Sequence, residues 1–180
     1  MSVADFALRR GVVADAAALA EFAARTFVDA FGADNRPEDV AAHLAATYSA
    51  EQQARELADP DRITLLIESG GAIAAFAQVQ RHEPPPCVTG PAPIEILRFY
   101  VDRPWHGRGV AQQLMQAAHD AAAELGGATV WLSTWERNPR GRAFYAKSGF
   151  MDVGTGYFQV GSDRQTDRIL AMPIHGALVR

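Results

Sequence analysis

The sequence predicts an α+β fold in which a mixed, mostly antiparallel sheet of about seven strands is flanked by helices. Short segments with alternating apolar residues and longer segments with apolar residues at helical spacing follow each other in the order β, helices, β-β-β, α, β, α, β-β. The 180 residues, of which 48% are hydrophobic and 21% charged, have the length and composition of one globular domain. We therefore expect residues 1–180 to form a single domain.

The first third of the chain is predicted to contain one strand and three helices. Residues 6–10 alternate well enough for a short strand. Asp15 opens an Ala-rich stretch whose apolar residues recur every three or four positions, as on the buried face of a helix. Pro37 is typical of the first turn of a second helix, and Ser49 with Gln52 resembles a capping box that begins a third.

Two adjacent strands are predicted over residues 63–68 and 72–80. The glycines between them, Gly70 and Gly71, tolerate the positive φ angles that tight hairpins require, so the two strands are expected to pair in antiparallel fashion. Half of the prolines fall in segment 82–93, which is predicted to be a loop because proline cannot donate to a sheet ladder.

The rest of the chain is predicted to alternate between strands and helices. The predicted elements are a strand over 94–101, a helix over 110–125, a strand over 129–134, a short helix from Pro139 to Ser148, and two strands over 151–160 and 165–174.

Composition excludes several kinds of protein. A formal net charge of −4 does not favour binding to nucleic acid or to an anionic membrane. The single cysteine, Cys87, excludes an internal disulfide, and the first ten residues lack the apolar core of a secretory signal, so we expect a cytoplasmic protein. Trp131 and Trp135 are interpreted as sheet packing. No metal is expected, since the five histidines lack metal-site spacing: His43, His82, His106, His119 and His175.

The segment between the strand at 94–101 and the helix at 110–125 is a candidate anion site. The first turn of a helix carries N–H groups without intrahelical acceptors, together with the positive end of the helix dipole. Gly107 and Gly109 leave room for a bulky anion near those groups, and Arg108 adds a positive charge. A pyrophosphate would fit, although a simple glycine-containing turn explains the same residues. The glycine spacing matches neither a dinucleotide-binding fingerprint nor a Walker loop.

Two motifs resemble the GCN5-related N-acetyltransferases. The run from His106 to Ala111, HGRGVA, is similar to the family's Q/R-x-x-G-x-G/A acetyl-CoA loop, with His106 in place of Gln or Arg. The run from Asn138 to Phe150 is similar to the family's N-x-x-A-x-x-x-Y-x-x-x-G-F segment, with Gly141 in place of Ala. The resemblance implies the fold of that family and a cofactor cleft between the strands at 94–101 and 129–134. The acetyl-CoA-binding residues that it implies are Phe99, Tyr100, Val101, His106, Gly107, Arg108, Gly109, Val110, Ala111 and Asn138.

The resemblance also suggests how the acetyl group moves. Direct attack by an amine requires a proton acceptor, and Glu95 occupies the place of the glutamate base that some family members use. The alternatives are an ordered water as base and a structural pairing of Glu95 with Arg98 or with a cation on a neighbouring strand. Tyr145 corresponds to the family's proton donor to the leaving thiolate, although a half-buried packing role also suits it. Unpaired backbone N–H groups of strand 99–101 would bind the oxyanion if this strand diverges from its neighbour.

The acceptor implied by the resemblance is a small molecule with a primary amine. A narrower similarity, over residues 26–35, 130–138 and 161–167, is to the polyamine-acetylating PaiA-like branch and makes spermidine-like amines the leading candidates. Acidic residues on the first helices would attract such a cation, although a solvated helix face and a first turn favoured by the helix dipole explain them better: Asp29, Asp34, Glu38 and Asp39. The alternatives are a protein N-acetyltransferase and a non-catalytic acyl-CoA sensor. A homodimer formed through sheet edges is common in the family.

Overall fold

The computed structural model describes residues 6–174 and contains seven strands and five α-helices over that range. In chain order these are β1 (Ala7–Arg10), α1 (Ala16–Phe31), α2 (Pro37–Thr47), α3 (Ala50–Ala58), β2 (Arg62–Ser69), β3 (Ala72–Gln80), β4 (Pro93–Val101), α4 (Val110–Glu124), β5 (Thr129–Trp135), α5 (Pro139–Lys147), β6 (Met151–Val160) and β7 (Asp163–Pro173).

All seven strands belong to one mixed sheet with the order β1-β2-β3-β4-β5-β7-β6. The neighbouring strands are antiparallel except for β4 and β5, which are parallel. The predicted α+β class is therefore confirmed. The last strand, β7, lies between β5 and β6, so its side chains flank the centre of the sheet rather than its edge.

Local signals in the sequence set several boundaries as predicted. Gly70 and Gly71 adopt φ angles of +61° and +81° in the turn that joins β2 to β3. Pro37 occupies the first turn of α2. The Ser49 hydroxyl accepts a hydrogen bond of 3.1 Å from the backbone N–H of Gln52, which caps α3.

The sheet has an apolar core on each face. One face packs against α4, where Leu114 and Ala118 are fully buried, and against α5. The other face packs against α1 and α2 through Phe27, Leu66 and Phe76. Side chains alternate between these cores along each strand.

The strands β4 and β5 separate shortly after they begin. They pair only from Pro93 to Glu95 on β4, which match Thr129 to Trp131 on β5. Leu97 is the extra residue of a bulge, because Gln78 and Val79 of β3 pair with Arg98 and Ile96. Beyond this point the β5-facing edge of β4 lacks a strand partner, so the predicted divergence is present and an opening forms near the centre of the sheet.

Candidate active site

The turn before α4 has the geometry of an anion-binding loop. Gly107 and Gly109 have φ angles of +74° and +84°, which disfavour other residues, and a Cβ atom at either position would meet nothing within 4 Å. No side chain caps the N-terminus of α4, and its first turn contains no acidic residue. The N–H groups that begin at Val110 therefore face an open approach that an anion can use.

Two side chains flank this loop. The Nε2 of His106 donates a 2.7 Å hydrogen bond to the carbonyl oxygen of Val101, so the histidine ties the loop to the end of β4. The guanidinium of Arg108 lies 5.4 Å from the ring centroid of Trp105 and remains exposed. Arg108 can therefore add positive charge at the mouth of the helix.

A cavity of about 1170 Å³ lies where β4 and β5 diverge, mainly against the face that α1 and α2 cover. It brings together five of the predicted site residues: Glu95, Phe99, Tyr100, Asn138 and Tyr145. Val101 and residues 106–111 do not line it, since they follow the end of β4 toward α4. The structure thus separates an anion-binding loop from a deep cavity, and the segment of β4 from Phe99 to Val101 connects the two.

Glu95 is a buried carboxylate in this cavity, with 7% of its surface exposed. Its Oε2 accepts a 2.6 Å hydrogen bond from the side-chain amide of Gln80. Burial raises the pKa of Glu95, while the Gln80 hydrogen bond and the charges of nearby basic groups oppose the rise. A carboxylate with a raised pKa is a better proton acceptor near neutral pH than an exposed one.

Among residues 6–174 neither Arg98 nor another cation forms an ion pair with Glu95, so the structural alternative of an ion pair is wrong, and its side-chain hydrogen bond is to Gln80. The Arg98 guanidinium instead binds the Glu56 carboxylate and the Gln78 side-chain oxygen. A second arginine, Arg62, lies 3.1 Å from the same Glu56 oxygen. The result is a buried ion cluster of two arginines and one glutamate, of which Arg98 lines the cavity.

Tyr145 lies between the α4 side of the sheet and the cavity. Its ring packs edge-on against Phe99 at 6.2 Å and against Phe150 at 5.8 Å, and it also lines the cavity. Burial raises the pKa of Tyr145, so the phenol keeps its proton at neutral pH. Tyr145 therefore packs against its aromatic neighbours and also borders the cavity.

Asn138 both caps α5 and borders the cavity. Its Oδ1 accepts a 2.9 Å hydrogen bond from the backbone N–H of Gly141. A Cβ atom on Gly141 would lie only 2.5 Å from the Asn138 side-chain nitrogen, so glycine fits closely against this cap. The departure from the family's alanine therefore has a local packing reason.

The acidic residues of the first helices do not line the cavity. Asp39 is buried, but its carboxylate binds the backbone N–H of Ser162 and the Arg36 side chain. Asp29 is 3.7 Å from Arg25, and Asp34 and Glu38 are exposed. The four residues therefore lie outside the cavity, and a solvated or locally paired role describes their surroundings.

Several residues that line the cavity are not among the site residues predicted from the sequence. Trp131 packs in the sheet as expected, in an apolar cluster with Val88, Ile169 and Ala171, and it also lines the cavity. Trp135 and the buried carboxylate Asp167 line the cavity as well. The Pro-rich loop contributes residues 82–85 to the wall. The sequence did carry a signal for the tryptophans. Trp131 and Trp135 are an even number of positions apart on β5, so their side chains lie on one face of the strand, and Trp131 is the register partner of Glu95 on β4.

Within residues 6–174, no group of three or more His, Cys, Asp or Glu side chains is placed to hold a metal ion. His175, the fifth histidine of the sequence, lies outside the described residues. None of the helices in the described range is both long and apolar enough to cross a membrane.

Comparison with known proteins identifies relatives along most of the chain. An uncharacterized N-acetyltransferase of Lactobacillus delbrueckii subsp. lactis is 32% identical over 145 residues, which cover 81% of this chain and 84% of that protein. An uncharacterized N-acetyltransferase of Mycobacterium tuberculosis strain H37Rv is 33% identical over 156 residues, which cover 87% of this chain and 96% of that protein.

A solved structure with the same fold is the PaiA N-acetyltransferase from Thermoplasma acidophilum in complex with coenzyme A. It has a TM-score of 0.76 and 17% identity, with 94% of this chain and 99% of that chain covered. The family model described as acetyltransferase (GNAT) family matches residues 19–150, which include β4, the glycine loop and Tyr145. With the diverging strands, the uncapped helix and the N-acetyltransferase relatives in agreement, the chain belongs to the GNAT family of acetyltransferases.

Proposed function

We propose that this chain, as a single N-acetyltransferase domain, transfers the acetyl group of acetyl-CoA directly to a primary amine of a small molecule in a ternary complex. The observation that carries the proposal is the opening between β4 and β5, which joins an anion-binding loop to a deep cavity. The loop suits the donor and the cavity suits the acceptor. Both substrates can then be bound at once, with Tyr145 and Glu95 beside the place where they meet.

The residues around the glycine loop fit the donor. Backbone N–H groups from Gly107 to Ala111 would bind its pyrophosphate, with His106 fixing the loop and Arg108 adding charge. Unpaired backbone groups of β4, from Phe99 to Val101, and the side chain of Asn138 would bind the pantetheine arm. When bound, acetyl-CoA supplies a thioester carbon that an amine can attack and a thiolate that can leave.

Glu95 is the proposed proton acceptor. An alkylamine has a pKa near ~10.4 in water, so most of it is protonated at neutral pH and cannot attack until it loses a proton. Glu95 lines the cavity and has a raised pKa, because burial disfavours its charged form. It can therefore take the proton directly or through a water molecule.

Tyr145 is the proposed proton donor, and β4 supplies the proposed oxyanion hole. The phenol of Tyr145 borders the cavity and carries an O–H group at neutral pH, so it can protonate a departing thiolate. Backbone N–H groups of β4 residues 99–101 that lack a β5 partner can donate to the negative charge that develops on the carbonyl oxygen.

A protein acceptor is the second candidate. It is supported by the N-alpha-acetyltransferase RimI of Mycobacterium tuberculosis, which is 32% identical to this chain over 117 residues, which cover 63% of this chain and 70% of that protein. The cavity walls favour a small molecule instead. Loop residues 82–85 border the cavity on one side and Tyr157 and Phe158 of β6 on another, which narrows the space available to a polypeptide.

The first test is a thiol-release assay with acetyl-CoA and a panel of primary amines and N-terminal peptides. We expect a small amine to give turnover and Tyr145→Phe to lower kcat on the order of 100-fold, with little change in the Kd for acetyl-CoA, because only proton donation is lost. Lys147→Ala, an exposed substitution on the same helix, serves as the control. Acetyl-CoA binding without thiol release for every acceptor would favour an acyl-CoA sensor.

The donor site is tested by two matched substitutions at opposite ends of α4. Gly109 and Gly126 have φ angles of +84° and +82°, and a Cβ atom at either would meet nothing within 4 Å. Each Gly→Ala change should therefore cost about 1–2 kcal/mol of unfolding free energy. Only Gly109→Ala should raise the Kd for coenzyme A in calorimetry, by about tenfold. Equal Kd values for the two variants would remove the loop from the donor site.

A further inference from the structure

Asp167 is a buried carboxylate that the proposed mechanism leaves unused. It lies on β7 with 5% of its surface exposed and lines the cavity. The Ser133 hydroxyl of β5 donates a 2.6 Å hydrogen bond to its Oδ2. No cation among residues 6–174 forms an ion pair with it, and the adjacent Arg168 binds Asp152 instead. A buried carboxylate without a counter-ion is costly, so a cation from elsewhere would stabilise it.

The other buried charges near the cavity already balance one another. Glu56 lies between Arg62 and Arg98, which leaves one positive charge in excess. Among residues 6–174 Glu95 forms no ion pair, but the charges of His82, Arg62 and Arg98 oppose the rise of its pKa that burial causes. Glu83, a further carboxylate of the cavity wall, is exposed and therefore hydrated. Asp167 is thus the buried carboxylate of the described cavity wall whose pKa no nearby positive charge lowers, and the charge of Glu136 raises it further.

Aromatic rings form part of the cavity wall, and that of Trp135 belongs to the residue opposite this carboxylate. Phe31 and Trp131 also line the cavity. Trp135 pairs with Asp167 in the sheet register, and its ring lies 6.1 Å from that of Phe31. Aromatic faces attract both a cation and the apolar body attached to it.

We infer that Asp167 binds the ammonium group of the acceptor before that group gives its proton to Glu95 and attacks, and that the acceptor carries one ammonium on an aromatic or other apolar body. This inference rests on the proposed function, because it takes the cavity as the acceptor site. A polyamine would bring two or more further ammonium groups into the cavity, where Glu95 is the one other buried carboxylate of the described wall and already lies near the charges of Arg62 and Arg98. The further ammonium groups would therefore lose water without enough carboxylates to replace it. The acidic residues of α1 and α2 cannot compensate, since they lie outside the cavity.

The test is calorimetry on the full chain saturated with coenzyme A, using phenylethylamine, the neutral phenylethanol and spermidine as ligands. We expect wild-type protein to bind phenylethylamine more tightly than either of the others. Asp167→Asn should weaken phenylethylamine binding at least about tenfold and change phenylethanol binding less than about twofold, because only charge is removed. Asp34→Asn, an exposed change on the acidic segment between α1 and α2, should alter neither.

Three results would overturn the inference. Wild-type protein could bind spermidine more tightly than phenylethylamine, or it could bind phenylethylamine and phenylethanol equally. Asp167→Asn could also weaken the binding of phenylethylamine and phenylethanol by the same factor. The wild-type comparison of amine with alcohol holds even if the variant fails to fold. Thiol release measured with the same ligands separates the two proposals. Release that persists unchanged in Asp167→Asn contradicts the inference alone, whereas acetyl-CoA binding without release for any amine contradicts the proposed function.

Discussion

Glu56 and Asp167 are two buried carboxylates, one paired with Arg98 of the cavity wall and the other part of that wall, and they differ in whether a positive charge accompanies them. Glu56 is in contact with two arginines, Arg62 and Arg98, and with the amides of Gln52 and Gln78. Asp167 has a single hydroxyl partner, Ser133. A buried carboxylate that forms ion pairs within the protein helps to stabilise the fold, whereas a buried carboxylate without a cation can bind a positively charged ligand. The two residues should therefore respond to substitution in opposite ways.

The largest expected effect is on stability in Glu56→Gln. Removing the carboxylate leaves Arg62 and Arg98 buried without a counter-ion, which should lower the unfolding free energy by about 3–5 kcal/mol. Denaturant unfolding measures this change. Glu51→Gln on the exposed side of the same helix should stay within about 0.5 kcal/mol of wild type. A loss below about 1 kcal/mol for Glu56→Gln would show that the cluster does not hold α3 on the sheet.

Asp167→Asn should have a smaller effect of opposite sign. Burial raises the pKa of Asp167, so the folded protein holds this proton more tightly than the unfolded chain does. The stability that this group contributes is therefore full below the unfolded pKa of about 3.9 and is lost as pH rises through the folded pKa. The uncharged Asn escapes this loss, so at pH 8 the variant should be as stable as wild type or up to about 1 kcal/mol more stable.

The pH dependence separates the two carboxylates further. Burial alone would raise the pKa of Glu56, but its hydrogen bond to Arg98 and the nearby positive charges outweigh burial and lower it. Its stabilisation is therefore present above the unfolded pKa and is lost as pH falls through the folded pKa. Unfolding at several pH values should show the Asp167→Asn advantage growing with pH and the Glu56→Gln deficit shrinking in acid. The same trend in both variants would contradict the comparison.

The sequence predicts the glycine loop, the helix cap and the β4 part of this site better than the cavity wall proposed for the acceptor. Local signals placed Gly107, Gly109 and Asn138 correctly, since positive φ angles, helix starts and caps depend on a few neighbouring residues. Strand alternation likewise placed Glu95 within β4. Local sequence patterns do not determine which distant strands pair, and the acceptor side of the site depends on that pairing.

Asp167 illustrates that limit. In the sequence it stands in a polar run close to a turn, which favours an exposed position. Its burial follows from the insertion of β7 between β5 and β6, which sets it beside Trp135 and within reach of Ser133. The acidic residues of the first helices failed in the converse way: they share a helical region in the sequence, but Asp39 turns to Ser162 of the distant β6-β7 turn.

The smallest expected effect tests whether the burial of an ion pair, rather than its mere presence, determines how much unfolding free energy is lost when the pair is removed. Arg25 forms two hydrogen bonds of 3.0 and 2.9 Å with Asp102, yet its side chain is 48% exposed. Water screens such a pair, so Arg25→Gln should lower the unfolding free energy by less than about 1 kcal/mol. The deficit should shrink further in about 0.5 M salt, because the Debye length is then shorter than at 0.1 M and the ion pair is screened more strongly. Arg140→Gln, an exposed change on α5, is the control. A cost comparable to that of Glu56→Gln would mean that ion pairing stabilises this fold regardless of solvent access, and Asp167 would then need another explanation.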